Sequence, residues 1–195
     1  MWTISGLRIG VEKVQNSCSS MKYIKLIVAY MVLFSSCIFG QVNPEWPKVQ
    51  DEKYNKRLNF LLSGSVPFME VSSLKPNIQD YTILDTRDRE EFDVSHIPGA
   101  LFVGPDFDLK NLESLNREKP TVVYCSVGYR SEKYGEKLLK AGFVDVSNLY
   151  GGIFEWVNAG NNLIANGVVL EQKKIHTYNA SWGKFVTNSH CKKVH

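Results

Sequence analysis

Thr121-Val122-Val123-Tyr124-Cys125-Ser126-Val127-Gly128-Tyr129-Arg130-Ser131, continued by Glu132 to Ala141, decides how the rest of the chain is read. Thr121 to Tyr124 is a short apolar, β-branched run directly after Pro120, the pattern of a buried strand. From Ser131 the apolar spacing becomes helical. Tyr134, Leu138 and Ala141 share a face with Leu139 beside them, and Glu132, Lys133, Glu136, Lys137 and Lys140 are expected in solvent. Gly142 then stops the helix. A strand therefore hands a cysteine to the start of a helix. The first backbone N–H groups there have no partner inside the helix, so they face whatever the loop holds. Gly128 lets the backbone curl, and Arg130 closes the loop with a cation. Such a loop stabilises a thiolate and can cradle an anion attached to that sulfur. The plain alternative is a core cysteine that ends a strand.

Two flanking stretches accompany the loop. Upstream, Asp85-Thr86-Arg87 is followed by His96-Ile97-Pro98-Gly99-Ala100; downstream stands Gly151-Gly152-Ile153-Phe154-Glu155-Trp156. The three together, in this order, resemble the rhodanese-like sulfurtransferases, and the resemblance covers residues 66–163. It implies an α/β fold, a five-stranded parallel sheet flanked by helices. It also implies that Cys125 is the catalytic nucleophile and that Ser126, Val127, Gly128, Tyr129, Arg130 and Ser131 form the substrate-binding loop. Asp85 and Arg87, at the end of a strand, are candidates for active-site support, with a structural ion pair as the favoured reading. His96 is expected to be architectural, although a histidine there can be taken for a base. No cofactor and no metal are implied. The partners would be a small anionic sulfur donor such as thiosulfate and a thiol acceptor, either a small molecule or a protein.

The alternating pattern around the loop agrees with that fold class. Tyr81 to Asp85 is apolar without alternation, as in a strand covered on both faces. Val66 to Val71, Leu101 to Val103 and Val144 to Leu149 are further strands. Glu52 to Leu62 carries a helical stripe of Tyr54, Leu58, Leu61 and Leu62. Ser72 to Lys75 starts a turn that Pro76 stops, Arg89 to Phe92 begins a short helix, and Asp108 to Leu115 reads as a helix with Leu109, Leu112 and Leu115 inward. Ile153 to Asn158 is a last helix, with Phe154 and Trp156 as packing groups. No internal repeat is visible, so a single rhodanese unit is expected.

The ends lie outside this pattern. Met21 to Lys25 is a short basic region, Leu26 to Phe34 an uncharged apolar run, and Ser35 to Gly40 a small-residue-rich end. This is the layout of a secretory signal peptide cleaved before Gln41. On that reading residues 1–40 leave as the signal peptide; alternatively Met21 is the start, which would make residues 1–20 an over-extended gene model. The mature protein would be periplasmic or secreted. The membrane would be met only through this leader or, alternatively, through a lipid on Cys37, since Phe34-Ser35-Ser36-Cys37 loosely resembles a lipoprotein box. Of four cysteines only Cys125 and Cys191 would remain, too few for a disulfide framework. Residues 41–65 form a lead-in helix and 164–195 a tail in which Val168-Val169-Leu170 can dock. His190, Cys191 and His195 lack a second ligand pair and are not read as a metal site. The composition, 44% hydrophobic and 22% charged over 195 residues, is that of a globular chain. A net charge of +3 gives no case for nucleic acid.

Two classes of protein fit a retained cysteine and arginine: a sulfurtransferase that works through a Cys125 persulfide, and a non-catalytic or redox-sensing interaction module of the same fold. A phosphatase or arsenate reductase is a third. Those loops place five residues between cysteine and arginine, whereas four separate Cys125 from Arg130. The smaller loop suits a sulfur atom better than a phosphoryl group.

Overall fold

The structure, a computed structural model, describes Trp46–His195. The expected leader, with Cys18 and Cys37, lies outside these residues. In chain order the elements are α1 (Glu52–Leu61), β1 (Phe68–Met69), α2 (Val71–Leu74), a 3-10 stretch (Lys75–Asp80), β2 (Thr82–Asp85), α3 (Arg89–Val94) and β3 (Leu101–Phe102). A second 3-10 turn (Leu109–Leu112) follows, then β4 (Thr121–Tyr124), α4 (Tyr129–Lys140), β5 (Val146–Leu149) and α5 (Gly152–Asn158). The C-terminal segment holds β6 (Ile164–Ala165), β7 (Val168–Val169), β8 (Lys174–His176), α6 (Ala180–Gly183) and β9 (Lys192–Val194).

Five strands form one sheet in the order β1-β5-β4-β2-β3, every pair parallel. The five-stranded parallel α/β fold expected from the sequence is therefore present. β4 lies at its centre, and all four of its residues are buried. Val122 and Tyr124 join a core that includes Leu58 of α1 and Phe154 of α5, while Val123 joins Tyr134 and Leu138 of α4. Two apolar faces explain why this strand has no polar alternation. Phe154 and Trp156 are core residues, as expected.

Several local expectations change. α4 starts at Tyr129, two residues earlier than read, because Gly128 at φ 110° supplies the left-handed residue from which it departs. Glu132, expected in solvent, is fully buried. Its carboxylate accepts the backbone N–H groups of Ser63, Gly64 and Ser65 at 3.0, 2.7 and 3.2 Å, so the turn after α1 supplies the solvation that water would have given. Leu109 is exposed, and the expected helix from Asp108 is only a 3-10 turn with Leu112 buried. Pro76 lies in the first turn of the 3-10 stretch, where a stop was expected. A proline at a first helical turn removes a donor that had no partner anyway.

The C-terminal segment packs on the domain. Ile175, Phe185, Val186 and Cys191 belong to the same core as Val122. Val168 and Val169, which were expected to dock, are exposed; only Leu170 packs against that core. Asn166 and Gly167, at φ 49° and 74°, turn β6 into β7 as a two-residue hairpin.

Glu155 on α5 introduces a pH dependence. Burial raises its carboxyl from 4.5 to about 7, and Oε2 has no hydrogen-bond partner. Between those values the folded state keeps a proton that the unfolded chain has released. Its favourable contribution is complete below about pH 4.5 and is lost as pH rises through 7. Glu155→Gln should remove this dependence and stabilise the protein at pH 8, by up to about 3 kcal/mol. Urea titrations of both proteins at pH 5 and pH 8 read the effect. Parallel pH trends in the two would overturn the assignment.

Candidate active site

β4 ends at Tyr124, so Cys125 is the first residue past the carboxyl edge of the central strand. The loop to α4 then closes over its own sulfur. The Gly128 N–H donates to Cys125 Sγ at 3.2 Å. The loop carbonyls are turned the other way: Ile153 N–H donates to Cys125 O at 3.0 Å and Phe154 N–H to Ser126 O at 3.2 Å. These contacts need Gly151 and Gly152, both at positive φ. A Cβ on Gly152 would stand 2.4 Å from Cys125 O, so no other residue fits without moving the loop. The Gly-Gly break read from the sequence is thus the floor under the cysteine.

Asn148 of β5 holds the far side. Its amide donates to Gly128 O at 2.9 Å, and its side-chain oxygen accepts from Ser131 Oγ at 2.7 Å. Ser131 is fully buried and braces the loop from behind. Ser126 and Val127 are nearly buried, Tyr129 is exposed, and Cys125 is itself 1% exposed. The sulfur lies at the bottom of a cleft of about 410 Å³ whose walls include Ser126, Val127, Tyr129 and Arg130. A separate cavity of about 300 Å³, beside Glu155 and Asn161, shares none of these residues.

Arg130 reaches the cleft with its charge already shared. Nη1 donates to Asp88 Oδ2 at 2.9 Å and Nη2 to Glu91 Oε2 at 2.7 Å, with Ser126 Oγ at 3.2 Å from Nη2. Ser126 Oγ in turn donates to Glu91 Oε1 at 2.8 Å. Burial works against the Glu91 carboxylate, yet Arg130 and the Ser126 hydroxyl hold its pKa below the ordinary value. Asp88, by contrast, is raised by burial and by its neighbour Glu91. Burial also opposes the Arg130 charge, but the sulfur of Cys125 and the two carboxylates keep its pKa above the ordinary value. Sequence reasoning missed Asp88 and Glu91. Their spacing was the available signal, because Glu91 reaches back to the Asp88 N–H at 3.1 Å as in a helix-capping pair.

Asp85 and Arg87 lie deeper. Both are fully buried and paired at 2.7 Å. Tyr124 Oη donates to Asp85 Oδ2 at 2.5 Å, and Arg87 Nη2 donates to Ser95 O at 2.7 Å. Burial disfavours the guanidinium, and Asp85 more than compensates, raising its pKa. The pair ties the ends of β2 and β4 to the chain ahead of β3 and does not reach the cleft walls. His96 is occupied likewise: Nδ1–H donates to Phe92 O at 3.0 Å, and the ring stacks on Phe92 at 3.8 Å.

A parallel sheet, a cysteine at its central carboxyl edge, and a loop wound around the sulfur define the class. Residues 70–159 match the family model of the rhodanese-like domain, and the chain carries such a domain. Among curated proteins it is similar to the tRNA uridine(34) hydroxylase of Staphylococcus aureus (strain JH9), 40% identical over 82 residues that make up 38% of this chain and 25% of that protein. The same protein from strain Newman is 41% identical over 81 residues, with the same coverage. The chain thus spans about a quarter of the length of these relatives. Among solved structures, a rhodanese-related protein of Thermoplasma volcanium is 27% identical, with 50% of this chain and 97% of that one covered and a TM-score of 0.46. Thiosulfate sulfurtransferase of Pseudomonas aeruginosa is 25% identical, with 51% and 20% covered and a TM-score of 0.47. Among the described residues, no helix is long and apolar enough to cross a membrane.

Proposed function

We propose that this protein is a rhodanese-type sulfurtransferase that carries sulfane sulfur on Cys125. The observation that supports it best is the loop itself, which turns the Gly128 amide onto Cys125 Sγ at the floor of an open cleft. In the first half-reaction the Cys125 thiolate attacks the outer sulfur of thiosulfate or a similar donor. A bond forms between Sγ and that sulfur, the donor's S–S bond breaks, and its electron pair leaves on the inner sulfur as sulfite. In the second, a thiolate acceptor takes the outer sulfur as a new persulfide and Cys125 returns as thiolate. Neither half needs an oxidant. One observation favours the other reading, a non-catalytic or redox-sensing module: Cys125 is 1% exposed and the loop's only arginine is already paired.

Intact-mass measurement separates the two. Thiosulfate should add about 32 Da to the purified protein, the covalent intermediate of a double displacement, and cyanide should remove it as thiocyanate. A folded protein that never gains this mass would move the assignment to the interaction module.

A further inference from the structure

The cleft over Cys125 has a wall that residues 70–159 do not supply. Leu61 comes from the end of α1, and Tyr178 and Trp182 come from the C-terminal segment. Tyr178 adopts φ 63°, a backbone conformation that bulky side chains rarely occupy and that asparagine or glycine would adopt with less strain. The residue is 56% exposed, so core burial does not account for an aromatic residue there. The ring stands 5.6 Å over the Arg130 guanidinium, at the mouth of the cleft. The Trp182 backbone N–H donates to Asn179 Oδ1 at 3.0 Å, which caps α6, and the Arg57 guanidinium lies 5.3 Å over the Trp182 ring. Val127 and Pro105 extend the apolar lining.

The charge in the same cleft points the same way. Arg130 is the only cation that lines it among the described residues, and it is bound to Asp88 and Glu91. Asp88 lines the cleft with Arg130 and Glu91 is buried beside them, so the three groups together leave a formal excess of one negative charge. A thiosulfate dianion meets no unshared positive side-chain charge there, whereas a donor with one charge at its sulfur and a flat apolar group behind meets Leu61, Pro105, Val127, Tyr178 and Trp182.

We propose that the cleft selects organic sulfane-sulfur donors bearing an aromatic or similarly flat apolar group, with Tyr178 and Trp182 as the specificity-determining residues. This rests on the sulfurtransferase reading above. With a thiosulfonate as donor, the Cys125 thiolate forms a bond to the outer sulfur. The donor's S–S bond breaks, and the electron pair leaves on the sulfonyl sulfur as a sulfinate. Two negative charges enter and two leave, so no redox partner is required.

The test compares benzenethiosulfonate with methanethiosulfonate, which share one anionic reactive head and differ in the group behind it. Each kcat/KM is divided by the reagent's rate with a free small thiol, which removes intrinsic reactivity. The corrected preference for the aryl reagent should be roughly 10- to 200-fold, the range an apolar pocket discriminates by size. Tyr178→Ala and Trp182→Ala should each reduce that ratio at least several-fold. Tyr178 is exposed, so its variant carries the test if Trp182→Ala does not fold. A ratio near one in the wild type, or one that neither variant changes, overturns the donor class while leaving sulfur transfer intact. Failure of both reagents to place sulfur on Cys125 overturns the sulfurtransferase reading and this inference with it.

Discussion

Cys125→Ser should take up no sulfur from thiosulfate and release no thiocyanate to cyanide, while Cys191→Ser should do both at the wild-type rate. The expected loss is effectively complete, because a serine hydroxyl is not ionised near neutral pH and an oxygen cannot form the persulfide that carries the transferred atom. The substitution should leave the fold in place. Cys125 Sγ accepts one backbone N–H, and a hydroxyl oxygen can accept the same bond. Cys191 is the informative control. It is also buried, with its thiol pKa raised by burial, and it packs in the core formed with Ile175 and Phe185. A raised thiol pKa means less thiolate at neutral pH, hence a weaker nucleophile. Intact mass and thiocyanate release read both variants. Turnover retained by Cys125→Ser would place the chemistry elsewhere.

Arg87→Met should produce the largest loss of stability, about 3–5 kcal/mol, because it strands the Asp85 carboxylate in the core with its main partner removed. Asp85 and Arg87 are both 0% exposed, so water cannot replace the missing guanidinium. Tyr124 Oη and the Arg87 backbone N–H are the donors left to Asp85. Against a typical total of about 5–15 kcal/mol, such a loss is large enough to lower the melting temperature by roughly 10 °C. Replacing both members, Asp85→Leu with Arg87→Met, should be less damaging than the sum of the single changes, since no charge then stays buried alone. Urea denaturation of the two single variants and the double variant checks this. A wild-type melting curve for Arg87→Met together with lost sulfur uptake would make Arg87 a participant in the chemistry and not a clamp.

Local pattern was sufficient where the cause is local. β4 matches the apolar run Thr121 to Tyr124 residue for residue, because that run has to be buried on both faces wherever it goes. α1 matches its stripe, with Tyr54, Leu58 and Leu62 buried, and Asp51 caps it by accepting from the Tyr54 N–H at 2.6 Å. The Asn166-Gly167 hairpin was equally legible from its dipeptide, and the sequence reading passed over it. Glu132 shows the limit. Its charge and helical position both indicate solvent, and only the arrival of the Ser63 to Ser65 turn, more than sixty positions earlier, makes burial possible.

The candidate site divides along the same line. Its cysteine, the loop around it and the glycine break follow from chain-local requirements: a strand end and positive φ at Gly128, Gly151 and Gly152. Those are properties of a few consecutive residues, so the sequence alone carries them. Its electrostatics and its wall do not. Arg130 reads as a free cation until α3 brings Asp88 and Glu91 against it, 42 and 39 positions away. Tyr178 and Trp182 reach the cleft only because β8 pairs with β9 and Thr177 N–H donates to Val194 O, which holds that segment beside the loop. Charge sharing and cleft shape depend on which distant segments meet, and that is settled by the packing of the whole domain, which no local pattern encodes.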